Sequence, residues 1–215
     1  MADLEWPEDL VPNACEFYLP AHVNRSVSPL TRATKIYELG DPRWVCRIRL
    51  RAGDGDRFGS SGVAAYGPRL DALIARMKGG ANRVSLWDFR REGEARAFSN
   101  AAIAAGTDQV TLLNTNGGIR VGDYIGGDGR PHIITELSIS GANLLADVMP
   151  HFSTDVAAGA AVFERVPGWF RLTGEDGGAN MTEAGELTIY ELDFVEDPGP
   201  STAITFTGEP LTYSG

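Results

Sequence analysis

Residues 44–51 alternate cleanly between apolar and cationic side chains. Trp44, Cys46, Ile48 and Leu50 fall on one parity; Arg47, Arg49 and Arg51 fall on the other. Successive side chains of a strand point to opposite faces, so this segment reads as a strand with a buried apolar face and a cationic outer face. Gly40-Asp41-Pro42 just before it is a turn signal, because proline fixes φ and glycine permits positive φ. With Thr34 to Leu39 on the far side of that turn, the sequence predicts a hairpin over residues 33–51. Two strands with one apolar face are not stable alone and have to pack on further structure. The hairpin is therefore read as the seed of a β-barrel or sandwich.

The rest of the chain supplies mostly short strands. Pro7, Pro12 and Pro20 bar a long helix near the N-terminus. An extended arm with one short strand near 16–19 is expected there. One amphipathic helix is predicted, with Pro68 in its first turn and Leu70, Leu73, Ile74 and Met77 along one stripe. Gly79-Gly80 ends it, and a strand over 83–89 follows. From Thr107 the texture changes to short apolar segments with frequent turns: 109–113, 119–125, 132–137, 144–148 and 161–165. Gly126-Gly127-Asp128-Gly129 marks a hairpin between two of them. After Val166-Pro167-Gly168 come Trp169 to Leu172 and then 187–195, which is apolar on both faces near its middle and is expected to be a central strand. Residues 196–215 are rich in Pro, Gly, Ser and Thr and are expected as an extended tail. The fold expectation is mainly β: a barrel or sandwich domain from 1–105 and 165–195 with one helix, a small all-β domain at 106–164 inserted into it, and a C-terminal tail at 196–215.

Composition narrows function chiefly by exclusion. With 43% apolar residues among 215, the chain can bury a real core. Its 29 acidic against 19 basic residues, a net charge of −10, argue against a nucleic-acid-binding surface over the whole molecule. No apolar run reaches the roughly 18 residues a membrane helix needs. Met1 to Asp9 is acidic and lacks the apolar stretch of a signal peptide. Cys15 and Cys46 allow one disulfide, but far apart in sequence they read in the first place as lone thiols of a reducing cytosol.

The search for chemistry returns empty. Gly53-Asp54-Gly55-Asp56-Arg57-Phe58-Gly59 lacks the lysine of a phosphate loop, and its aspartates would repel a phosphate. Phe58 also stands where a calcium loop needs a ligand. His22, His132 and His151 have no metal-ligand spacing, and His132 reads as a partly buried polar residue beside a turn. No nucleophile elbow is present, and Glu92 and Glu94 lie in a charged loop. The expectation is a non-enzyme with no catalytic residue, no cofactor and no metal. What remains is an interface candidate: Trp44 with Arg47, Arg49 and Arg51. Arginine pairs well with carboxylates across contacts, and anion binding is the competing use of the stripe.

The order of signals along the chain resembles a known pattern. Trp6-Pro7 with Pro12 and Pro20 comes first, then Arg25 to Arg32 and Asp41-Pro42-Arg43-Trp44. The helix runs through Lys78-Gly79-Gly80-Ala81-Asn82-Arg83 into Val84-Ser85-Leu86-Trp87-Asp88. Val121-Gly122-Asp123-Tyr124-Ile125 lies in the β-rich insert, and Pro167-Gly168-Trp169-Phe170-Arg171-Leu172 leads back to Leu192-Asp193-Phe194-Val195-Glu196. Taken together, residues 6–196 resemble the tail proteins of long-tailed bacteriophages and gene-transfer particles, close to the distal tail proteins. The resemblance implies a virion subunit made in the host cytoplasm, with a β-rich belt domain that closes into a hexameric ring. It implies the tail tube protein and tip or hub proteins as partners. It also implies an outward domain that can resemble carbohydrate-binding or oligonucleotide-binding β-folds, so a host surface glycan is a further partner to test. Tyr124 and Trp169 are the aromatics near that unit suited to a sugar ring, and a core or hinge position is the competing reading that outweighs it for both. No membrane contact and no specific nucleic-acid binding is implied.

Overall fold

The computed structural model describes residues 2–52, 66–91, 96–98, 101–113, 118–174, 180–181, 188–197 and 199. The glycine-rich loop at 53–62, Glu92 and Glu94, the turn at 175–178 and the tail from 200 onward lie outside these residues. Among the described residues the chain is mainly β, 45% strand and 7% helical, and one sheet curls into a half-barrel. In chain order the elements are β1 (Asp3–Glu5), β2 (Ala14–Tyr18), β3 (Val23–Val27), β4 (Thr34–Glu38), β5 (Val45–Ala52), α1 (Tyr66–Met77), β6 (Arg83–Leu86), β7 (Arg96–Phe98) and β8 (Gln109–Leu113). There follow β9 (Tyr124–Gly126), β10 (His132–Ser140), β11 (Asn143–Met149), β12 (Ala161–Phe163), β13 (Gly168–Leu172), β14 (Asn180–Met181) and β15 (Thr188–Glu196).

The first sheet has the order β1-β6-β13-β15-β5-β2, with β14 beside β15. It draws on both ends of the chain. The alternation of β5 is realised: Trp44, Cys46, Ile48 and Leu50 are buried, and Arg47, Arg49 and Arg51 are exposed. The partner of β5 differs from expectation. Thr34–Glu38 does not pair with it; β15 does, in register from Ala52↔Thr188 to Val45↔Val195, and β2 takes the other edge. The reason is side-chain supply. Tyr190, Leu192 and Phe194 of β15 and Phe17 of β2 extend the same apolar face, whereas β4 has no such run. The link before β5 is also held elsewhere, since the Pro42 carbonyl and the Asp41 carboxylate both meet Arg130.

The short strand expected near 16–19 forms as β2 and lies on β5; the structure adds β1, parallel to β6, and buries Leu4, Trp6 and Leu10 in the first core. One further expectation is corrected. β15 is central as expected but buries one face only; Ile189, Glu191 and Asp193 face out. Helix α1 covers the inner face beside β15. Leu70, Leu73 and Met77 enter the core, and the Tyr190 hydroxyl meets Asp71 at 2.9 Å. The helix ends with Lys78, Gly79 and Gly80 all at positive φ. A Cβ on Gly80 would stand 2.4 Å from the Leu172 carbonyl oxygen, so glycine is required there.

The second sheet has the order β7-β12-β9-β10-β11-β8 and is antiparallel throughout. It begins at Arg96, ahead of the change in sequence texture at 106. The hairpin across Gly126 to Gly129 forms, with Ile125 opposite His132. The strand expected over 119–125 shrinks to Tyr124–Gly126, because Arg120 to Asp123 close a turn in which the Asp123 carboxylate accepts the Arg120 amide at 2.8 Å. This sheet has its own core of Val110, Leu112, Ile125, Ile134, Val148, Phe152 and Phe163, among others. The remaining pair, β3 and β4, forms a separate two-stranded ribbon.

Candidate assembly interface

Four residues were singled out as an interface, and the structure separates them. Trp44 is 2% exposed and stacks on Phe17 with ring centroids 4.9 Å apart. Its indole N–H donates to the Pro131 carbonyl at 2.6 Å. It faces the core and is not available to a partner. Parity placed it on the buried face, and a subunit contact through it is withdrawn.

The arginines do face out, but β2 and β15 bring carboxylates to them. Arg47 lies between Glu16 at 3.6 Å and Asp193 at 3.4 Å, and Arg49 pairs with Glu191. These cross-strand pairs follow from register: Glu16 and Asp193 lie opposite Arg47, and Glu191 lies opposite Arg49. All are more than half exposed, so each pair contributes little, about 0–1 kcal/mol. The shallow depression among them, about 310 Å³, is lined by both signs of charge. An anion would compete with carboxylates already in place.

A cluster of buried polar residues is used inside the fold. Asp128, Arg130, His132 and Glu196 are each at most 3% exposed and sit where the two sheets meet. Arg130 grips Glu196 with two hydrogen bonds of 2.9 Å, and the second carboxylate oxygen also accepts the Trp44 amide. His132 was expected to be partly buried; it is fully buried, stacked on Phe152 with centroids 3.9 Å apart. Its Nδ1 meets the Pro150 carbonyl at 2.6 Å and its Nε2 meets Asp128 at 2.9 Å. Burial pushes the Asp128 carboxyl upward, but the hydrogen bond and charge of His132 and the bonds from Ser153 outweigh it and hold the group below the ordinary carboxylate range. Both ring nitrogens of His132 face oxygen atoms that can accept a hydrogen bond. The Ser153 hydroxyl donates to Asp128, not to His132, so no serine–histidine relay is built. The cluster is a fastening between the sheets.

The thiols behave likewise. Cys15 and Cys46 are free, and the hydrogen bond with Cys15, together with burial, raises the Cys46 thiol well above its usual value. A thiol in that state is a poor nucleophile. Among the described residues no group of three or more His, Cys, Asp or Glu side chains is placed to hold a metal ion. The aromatics considered for sugar stacking are closed off. Tyr124 is 4% exposed, packs edge-on to Trp44 and donates to Asp88, while Trp169 is 6% exposed with the Arg83 guanidinium over its ring.

The surface that the sequence reading missed is the β3–β4 ribbon. Its register runs from Val23↔Glu38 to Val27↔Thr34, and it is closed by the Ser28–Ala33 turn with Arg32 at positive φ. Every residue of β3 is exposed. Val23, Val27 and Ile36 share one face, and Leu30 at the tip is 94% exposed. The signal in the sequence was slight: Val23 and Val27 share one parity across Asn24, Arg25 and Ser26, and Ser28-Pro29 opens a turn. The assignment of Thr34 to Leu39 to the other hairpin concealed it. No family model matches this chain, and no curated protein matches it.

Proposed function

We propose that this chain is a non-catalytic structural subunit of a long-tailed phage tail or related particle, assembling into a ring between the tail tube and the tip. One observation carries the reading: the first sheet is assembled from β1, β2, β5 and β6 before the second sheet in the chain and from β13, β14 and β15 after it, so that the second sheet is inserted between them. That is the arrangement the resemblance implies, a belt with an inserted β unit. Two further features support it. The polar side chains placed in the interior are consumed by partners in the fold. The chain also exposes Val23, Val27, Leu30, Ile36, Tyr37 and Leu39 on one two-stranded ribbon.

A subunit with heterologous contacts closes into a ring when its rotation closes and otherwise forms a filament. Light scattering on the purified chain, with negative-stain images of the same sample, tests this. Closed rings of about six copies are the expected outcome. A monomer at every concentration reached would overturn self-assembly.

A further inference from the structure

We propose that the β3–β4 ribbon is a docking arm whose occupant is a second copy of this chain. The choice of a second copy rests on the self-assembly reading above; the ribbon as the contact rests on its own observations.

Exposure is the first of these. Twelve large hydrophobics are strongly exposed among the described residues, and six of them are Val23, Val27, Leu30, Ile36, Tyr37 and Leu39. Six of these twelve residues are thus concentrated in one hairpin. Isolation is the second. β3 and β4 pair only with each other, and the ribbon leaves the body where the Leu39 amide bonds to the His22 carbonyl. A two-stranded hairpin alone is marginal in water and needs a covering surface.

Charge then selects the occupant. From His22 to Gly40 the chain carries Arg25, Arg32 and Lys35 against Glu38, a net of +2, so the −10 of the whole chain leaves −12 on everything else. A basic arm on an acidic body repels neither itself nor its target when the target is another such body. Edges are also available to receive it. The outer edges of β2 and β8 carry no strand partner among the described residues, and an extended segment can add to such an edge.

The test combines Leu30→Asp with Ile36→Asp in the full chain, neither residue being in a core. The expected result is an unchanged melting temperature with the self-association constant weakened by at least about tenfold, because a charge enters an apolar contact. A photo-reactive phenylalanine at position 30, in a mixture of isotope-labelled and unlabelled chains, is expected to cross-link only between copies. Should the double variant fail to fold, this cross-link decides the matter in an otherwise unaltered chain. If the wild type assembles and the variant assembles equally well, the arm is wrong while self-assembly stands. A wild-type chain that stays monomeric removes the second copy as occupant together with the ring. A cross-link from position 30 to residues 200–215 of the same chain would show that the tail covers the ribbon, and would overturn the proposal.

Discussion

Asp128 is kept ionised in the interior by donors from three places: the His132 ring, the Arg130 amide, and both the amide and hydroxyl of Ser153. The hydrogen bond and charge of His132 and the bonds from Ser153 outweigh burial and hold its carboxyl below the ordinary carboxylate range, so the folded state favours the ionised form. The sign follows from linkage: this contribution is fully present above the unfolded value and is lost as pH falls through the lower folded one. Urea unfolding of wild type and Asp128→Asn from neutral pH downward should show a stability gap that closes in acid. A gap independent of pH would refute the assignment. The sequence identified His132 and the turn beside it but not this pairing. The i,i+4 spacing joins Asp128 to His132 only because the hairpin bends there, and Ser153 is 25 residues away. Trp44 makes the same point. Parity established which way it faces; what covers that face is decided by Phe17 and Tyr124 arriving from elsewhere.

At the scale of elements, β5 and α1 were legible and the ribbon was not. Both legible elements carry a periodicity that a single segment displays by itself, two for the strand and 3.6 for the helix. The glycines after the helix were legible as well, and the structure adds why the second is needed: Gly80 lies against the Leu172 carbonyl, and Arg171 donates to the Gly80 and Ala81 carbonyls. Gly80→Ala should therefore destabilise the fold by about 1–3 kcal/mol through its left-handed backbone and the close approach. Chemical denaturation measures it, and a loss no larger than that of Gly79→Ala, where nothing lies within 4 Å, would refute the close-approach argument. The choice of partner for Thr34–Glu38 went astray because pairing is a competition. A turn signal announces that two segments reverse direction, but β15, some 150 residues downstream, offers β5 a longer apolar face than its neighbour does.

For the whole molecule, the two sheets are joined by a buried ion pair as well as by apolar packing. Arg130, on the second sheet's hairpin, reaches Glu196 at the end of the first sheet's central strand. Arg130→Met leaves that carboxylate buried and unpaired, and should cost about 3–5 kcal/mol. Adding Glu196→Gln should restore part of the loss, since the amide oxygen still accepts the Trp44 N–H. A double-mutant cycle reads the coupling, and strictly additive losses would count against the pair as a fastening. By itself the sequence determined the mainly β class, the single helix, the two-faced character of β5 and most strands of the second sheet, because each is written in local periodicity and turn chemistry. Only the tertiary structure decided which strands are neighbours, that the N-terminal strands complete the first sheet, that Arg47 and Arg49 meet carboxylates in place, and that half of the exposed large hydrophobics of the described residues lie in the ribbon. Those outcomes depend on burial and on partners distant in sequence, where the free energy belongs to the pair and not to either segment alone.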